Sequence, residues 1–292
     1  MMKNCLFTGV STALVTPFLD GAVNYPLLEQ LLRRQMEAGI EAVVIAGTSG
    51  ESATLSDDEK LELFSRAKEY VGNSCKIIAG TGSNSTVHTI ELSMEAEKCG
   101  VDALLVVTPY YNKATPEGLF AHFASVAHSV SIPIILYNVP SRTRLDISVE
   151  IYRRLSQIPN IVGTKEASTD VSKVTKILHL CGPDFTVWSG NDELITPVMA
   201  LGGKGVISVL SNVLPIETQA MAKAALDGDF DTASALQIEL QPLTELLFCE
   251  VNPIPVKAAM KLLGYDCGSC RMPLTNLSEE NRKRLAAELL RL

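Results

Sequence analysis

Short runs of aliphatic and β-branched residues recur along the chain at residues 9–14, 42–45, 76–79, 103–107, 134–137, 161–164, 186–188 and 205–208. From the second onward they return roughly every 20 to 35 residues, and the intervals place apolar residues at helical spacing, as in LLEQLLRRQMEA, DDEKLELFSRAKEY and TIELSMEAEKC. Continuous apolar runs, rather than alternating ones, belong to strands buried on both faces. Strand then helix, eight times over, predicts an α/β fold of the (β/α)8 TIM-barrel type. A doubly wound sheet also alternates strand and helix, but it carries a glycine-rich phosphate turn after its first strand, where this chain reads ALVTPFLDG. Beyond residue 208 the pattern predicts helices at 216–226, 230–248, 255–263 and 278–290. These divide the chain into a barrel catalytic domain at residues 1–226 and a C-terminal helical domain, an appendage, at residues 227–292.

A chain of 292 residues with 47% hydrophobic content has material for a full-sized core. Its formal net charge of −8, with no cluster of Lys and Arg interleaved with aromatics, argues against a nucleic-acid partner. The opening MMKNCLFTGVSTALVTPF has no long apolar stretch or small-residue cleavage site, so no secretory signal is expected. The longest apolar runs, such as residues 101–107, fall far short of the roughly 20 residues of a membrane span, and a cytoplasmic enzyme is the expected class. Seven scattered cysteines are expected as reduced thiols. The single Cys267-Gly-Ser-Cys270 pair lacks the two further ligands of a structural zinc, so no metal site is expected.

In such a barrel the chemistry sits at the C-terminal ends of the strands. Lys165 follows the apolar run Ile161-Val162-Gly163-Thr164, and its stem is expected to point into the barrel mouth. A lysine desolvated in such a place can act as an amine nucleophile and form a Schiff base with a ketone. The plain alternative is a lysine snorkelling at the strand end or paired with Glu166. Tyr137 closes the preceding strand on the same rim, where a phenol could shuttle protons for imine and enamine chemistry. Its alternative is a core aromatic with a satisfied hydroxyl. The loop Gly47-Thr48-Ser49-Gly50-Glu51-Ser52 has the composition of an anion nest, or of a tight turn and N-cap for a helix starting near Asp57. His88, His122, His128 and His179 show no mutual ligand spacing and carry no assigned chemistry.

Taken together and in order, GTSGES, TPYYN, YNVPSRT, GTKEAS and GGKGVISV resemble the family of dihydrodipicolinate synthase and N-acetylneuraminate lyase over nearly the whole chain. YNVPSRT with Arg142, and the double tyrosine of Thr108-Pro109-Tyr110-Tyr111-Asn112, are similar to the synthases rather than to the sugar-acid lyases. The resemblance implies condensation of pyruvate with L-aspartate 4-semialdehyde in lysine and diaminopimelate biosynthesis. It implies that Lys165 forms the imine, that Tyr137 moves its protons, and that Thr48 and Tyr111 complete the relay. Tyr111 would enter from a neighbouring subunit of a homotetramer built as a dimer of dimers. Ser49 and the backbone near Ile207 would hold the pyruvate carboxylate, with Gly190 beside them, and Arg142 would receive the semialdehyde carboxylate. No organic cofactor is implied. One departure is Ser49, where the family usually has threonine; the hydroxyl is kept and a methyl group lost.

Two alternatives stand beside this reading. A related pyruvate aldolase cleaving N-acetylneuraminate or 2-keto-3-deoxygluconate would share Lys165 and Tyr137, while a non-catalytic barrel sensing a keto acid need keep neither. Some family members are inhibited by lysine in a pocket corresponding here to Ser52, Ala53, Asp57, Lys60, Asn84, His88 and Tyr110. His88 stands where sensitive relatives have glutamate, and Asp57 and Lys60 where they have histidines, so insensitivity to lysine is expected.

Overall fold

The eight apolar runs become eight parallel strands in a computed structural model that describes residues 5–292. They are β1 (Gly9–Ala13), β2 (Ala42–Ile45), β3 (Lys76–Gly80), β4 (Ala103–Val107), β5 (Ile134–Asn138), β6 (Ile161–Glu166), β7 (Thr186–Ser189) and β8 (Gly205–Ser208). Each strand pairs with the next, and β1 closes on β8 through Gly9↔Gly205 to Thr12↔Ser208. Closure leaves no edge strand. The helices α1 (Tyr25–Glu37), α2 (Asp57–Val71), α3 (Thr86–Lys98), α4 (Pro116–Ser129), α5 (Val149–Leu155), α6 (Val171–Cys181), α7 (Ile195–Ala200) and α8 (Pro215–Leu226) follow the strands in turn. Three more, α9 (Phe230–Leu246), α10 (Ile254–Leu262) and α11 (Glu279–Arg291), follow the barrel. A two-stranded hairpin, Phe18–Leu19 with Ala22–Val23, lies between β1 and α1 and has no counterpart in the expected pattern. Residues 1–4, part of the opening segment read above for a signal, lie outside the described residues.

The strands are mostly apolar because each faces two cores. Ala42, Val44, Ile78, Ala103, Leu105, Ile135, Tyr137, Trp188 and Ile207 fill the barrel interior. Val43, Ile45, Ile77, Ala79, Leu104, Val106 and Leu136 face the helices. Phe7 plugs the interior by stacking on Trp188 at 4.8 Å between centroids. Local signals start the helices where the sequence places them. Ser56 and Glu59 form a capping box at α2, and Thr115, with Pro116 behind it, caps α4. The cap of α2 is thus Ser56, which leaves the Gly47–Ser52 segment free of that duty. Among the described residues no helix is long and apolar enough to cross a membrane.

Four strands run past their expected ends: β3 to Gly80, β5 to Asn138, β6 to Glu166 and β7 to Ser189. Lys165, expected just after its apolar run, therefore lies within hydrogen-bonded ladder, opposite Tyr137.

Candidate active site

A bulge decides which residue of β6 meets Tyr137. Ile134 pairs with Ile161, but Ile135 pairs with Gly163, so Val162 is one residue more than β5 can match. If Val162 instead took the rung opposite Ile135, Tyr137 would face Thr164 and Lys165 would turn outward, because side chains alternate along a strand. With the bulge, Tyr137↔Lys165 and Asn138↔Glu166 are the last two rungs. Lys165 Nζ stands 4.6 Å from the centre of the Tyr137 ring inside the barrel, and the two residues are only 5% and 7% exposed. Gly163 sits next to the bulge because a Cβ there would come within 2.2 Å of the Thr186 carbonyl oxygen and 2.7 Å of Trp188 Cζ3.

These two side chains open on a cavity of about 180 Å3 whose lining includes Thr48, Ser49, Arg142, Gly190, Val209 and Asn252. Gly190 N–H donates to the Glu166 carbonyl at 2.8 Å, and a Cβ on Gly190 would meet Ala167 Cβ at 2.6 Å, so glycine lets β7 approach β6 at the rim. Ile207 is buried in β8 and does not line the cavity; Val209, two residues on, does. Tyr111 lies away from it, 92% exposed and with φ of +74°, while Tyr110 lines an adjoining groove. That groove, of about 760 Å3, shares Thr48, Tyr137, Arg142 and Asn252 with the cavity and runs out past Asn84 to Asp57, Lys60 and His88.

In the outer groove Asp57 bonds His88 Nε2 at 2.7 Å and Lys60 Nζ at 3.1 Å. Burial works against the Asp57 carboxylate, but these two bonds hold its pKa below the usual range.

The appendage reaches the site through residues that motif reading passed over. Asn252, just before α10, donates from Nδ2 to Ser49 Oγ at 3.0 Å, and its carbonyl accepts from Arg142 Nη2 at 3.1 Å. Lys257 forms a buried pair with Glu51 at 2.9 Å, and Glu51 also accepts from the Arg271 N–H. The only sequence hint was Asn252-Pro253-Ile254-Pro255, polar and proline-rich ahead of an apolar helix. Asp192 was also passed over: buried beyond β7, it accepts from the Val209 and Leu210 N–H groups at 2.9 Å each, and burial pushes its carboxyl up. No group of three or more His, Cys, Asp or Glu among the described residues is placed to hold a metal ion, and the seven cysteines are free thiols.

An amine, a phenol, two hydroxyls and a guanidinium around one small cavity suit a keto acid as substrate. The comparisons agree with that chemistry. The model of the dihydrodipicolinate synthetase family matches residues 6–291. A 4-hydroxy-tetrahydrodipicolinate synthase of Acetivibrio thermocellus is 46% identical over 280 residues, covering 96% of this chain and 95% of the relative. Among solved structures, a dihydrodipicolinate synthase from Aquifex aeolicus is 43% identical with a TM-score of 0.96, covering 98% of each chain. One from Cyanidioschyzon merolae, solved with lysine bound, is 41% identical with a TM-score of 0.96, again covering 98% of each. By family match, identity over nearly its full length and shared fold, this chain belongs to the dihydrodipicolinate synthetase family.

Proposed function

We propose that this chain is a Schiff-base-forming lyase that condenses pyruvate with L-aspartate 4-semialdehyde to give 4-hydroxy-tetrahydrodipicolinate, for lysine and diaminopimelate biosynthesis in the cytoplasm. The observation that carries this reading is the in-register pair Tyr137↔Lys165 buried in the barrel mouth beside Arg142.

Lys165 Nζ attacks the ketone carbon of pyruvate, and loss of water gives the imine. Removal of a methyl proton gives the enamine, whose terminal carbon bonds to the aldehyde carbon of the second substrate while the aldehyde oxygen takes up a proton. The α-amino group of that substrate then attacks the imine carbon and displaces Lys165, which closes the ring and frees the enzyme. Every step balances with proton transfers alone, so no cofactor is required. Tyr137 is the proton carrier at Nζ, with Thr48 beside it in the cavity and Tyr111 as the third member. Ser49 and the backbone near Ile207 receive the pyruvate carboxylate, with Gly190 beside them, and Arg142 at the mouth receives the semialdehyde carboxylate.

Tyr111 does not reach its own cavity, and its exposure in a backbone conformation unusual for a non-glycine residue supports delivery to a second copy in a homotetramer arranged as a dimer of dimers. Residues 1–226 form the catalytic barrel in this reading, and residues 227–292 the helical domain that braces it.

The test is turnover of purified protein with both substrates, coupled to a reductase that consumes the cyclic product. Turnover that requires both substrates is expected. No turnover, together with pyruvate release from N-acetylneuraminate or 2-keto-3-deoxygluconate, would contradict the assigned second substrate.

A further inference from the structure

Tyr137 and Lys165 are the penultimate residues of β5 and β6, where a sheet is least constrained, and only one rung lies beyond them. That rung, Asn138↔Glu166, points outward into a buried polar network. Glu166 Oε1 accepts from Asn138 Nδ2 at 2.8 Å and from the Ser168 N–H at 2.9 Å. Glu166 Oε2 accepts from the Tyr152 hydroxyl at 2.9 Å and lies 3.6 Å from Lys173 Nζ. The second Asn138 amide proton goes to Asp146 at 2.7 Å, Asp146 is ion-paired with Lys173, and Asn138 Oδ1 accepts from the Ile147 N–H at 3.0 Å. The Tyr152 hydroxyl also meets Thr164 Oγ1 at 3.0 Å, and Thr164 donates to the Leu136 carbonyl at 3.2 Å, so the network ties β6 to β5 on both sides of Lys165.

We propose that Glu166 is a positioning residue: with Asn138, Tyr152 and Lys173 it clamps the last rung of β5 and β6 and so holds Tyr137 and Lys165 at reacting distance. Asn138 and Tyr152 are fully buried, and Glu166 is only 3% exposed. Burial, with the Glu166 charge next, pushes the Tyr152 phenol well above its ordinary value, so it keeps its proton and remains a donor to the carboxylate. Both Glu166 oxygens are engaged, and the network spans α5, α6 and two strands. The clamp acts on the face opposite the substrate and touches no reacting atom.

This inference rests on the pyruvate half of the proposed function, so its readout is the rate of borohydride-trapped pyruvyl adduct on Lys165, which does not depend on the second substrate. Glu166→Ala is expected to slow trapping per folded molecule by on the order of 10²-fold, the usual consequence of misplacing a reacting group by about an ångström. Glu166→Gln keeps an acceptor for Asn138 and Ser168 and is expected to recover to within about tenfold of the parent. Tyr152→Phe, which keeps the ring and removes one hydroxyl, gives a second measure if Glu166→Ala does not fold, with an expected loss of about tenfold. In a Tyr137→Phe background the Glu166→Ala loss is expected to shrink at least several-fold, because an absent phenol cannot be mis-aimed. Parent-like trapping in Glu166→Ala and Tyr152→Phe, or losses that simply multiply with Tyr137→Phe, would overturn the clamp. Absence of any adduct on the parent would overturn the Schiff-base reading and the clamp with it.

Discussion

One surplus residue on β6 sets the geometry of the reacting pair. Val162 shifts the register so that Lys165, and not Thr164, shares the interior with Tyr137, and Gly163 supplies the space the shift requires. The roles of the neighbouring side chains then separate by distance from the amine. The Lys165 amine lies over the ring of Tyr137, the proposed proton carrier, and Tyr137→Phe removes the phenol proton while keeping the ring, so turnover is expected to fall by on the order of 10²-fold or more. Arg142 lines the cavity and is the proposed receptor of the semialdehyde carboxylate, so Arg142→Ala is expected to raise KM for the semialdehyde while pyruvate adduct formation persists. Steady-state kinetics beside adduct mass spectrometry check both. Near-normal turnover in Tyr137→Phe would return that residue to simple core packing.

At the scale of elements, what could be read from sequence was whatever short-range pattern dictates. Strand runs such as 42–45 and 103–107 stood out because both faces are buried, and α2 begins near Asp57 as its helical pattern predicts, though its cap is Ser56 and not the Gly47–Ser52 loop. Lys165 and Tyr137 were visible as polar residues closing apolar runs. The bulge was hidden because register is a relation between two strands, and Asn252 and the Glu51–Lys257 pair were hidden because their partners lie about 200 residues apart in the chain. Between α3 and α4 lies a pair closer in the chain. His122, passed over in the sequence, is buried with Nδ1 at 2.9 Å from Thr86 Oγ1 and no partner for Nε2 among the described residues. Burial lowers its pKa from 6.5 to about 4. The unfolded chain therefore takes up a proton that the folded chain refuses. The resulting stability is fully present above pH 6.5 and is lost as pH falls towards 4, by roughly 3 kcal/mol at most. Urea unfolding of His122→Asn, which keeps a polar group without a titrating ring, is expected to lose part of that slope between pH 6.5 and 4. An unchanged slope would assign it to other groups.

The whole molecule is a barrel whose mouth is finished by the appendage. Leu240, Leu243, Leu246, Val256, Met260 and Leu285 from α9, α10 and α11 belong to the same hydrophobic cluster as the outer faces of the strands, and Asn252 and Lys257 grip the loop that carries Thr48 and Ser49. The adjoining groove corresponds to the pocket in which lysine is expected to bind in lysine-sensitive relatives. Of the two carboxylates that line it, Glu51 is paired with Lys257 and Asp57 is already engaged by His88 and Lys60, and the Lys60 cation opposes a second one by roughly a kcal/mol or more. Initial rates at saturating substrates are expected to stay flat through millimolar lysine, and half-inhibition below about a millimolar would show that the groove binds it despite those contacts. The central claim remains the covalent one, that Lys165 is the amine that captures pyruvate. Incubation with pyruvate and borohydride, followed by intact-mass measurement and peptide mapping, tests it most directly. One reduced pyruvyl group on Lys165 and none in Lys165→Ala are expected; no adduct, or an adduct on another lysine, would contradict Lys165 as the capturing amine.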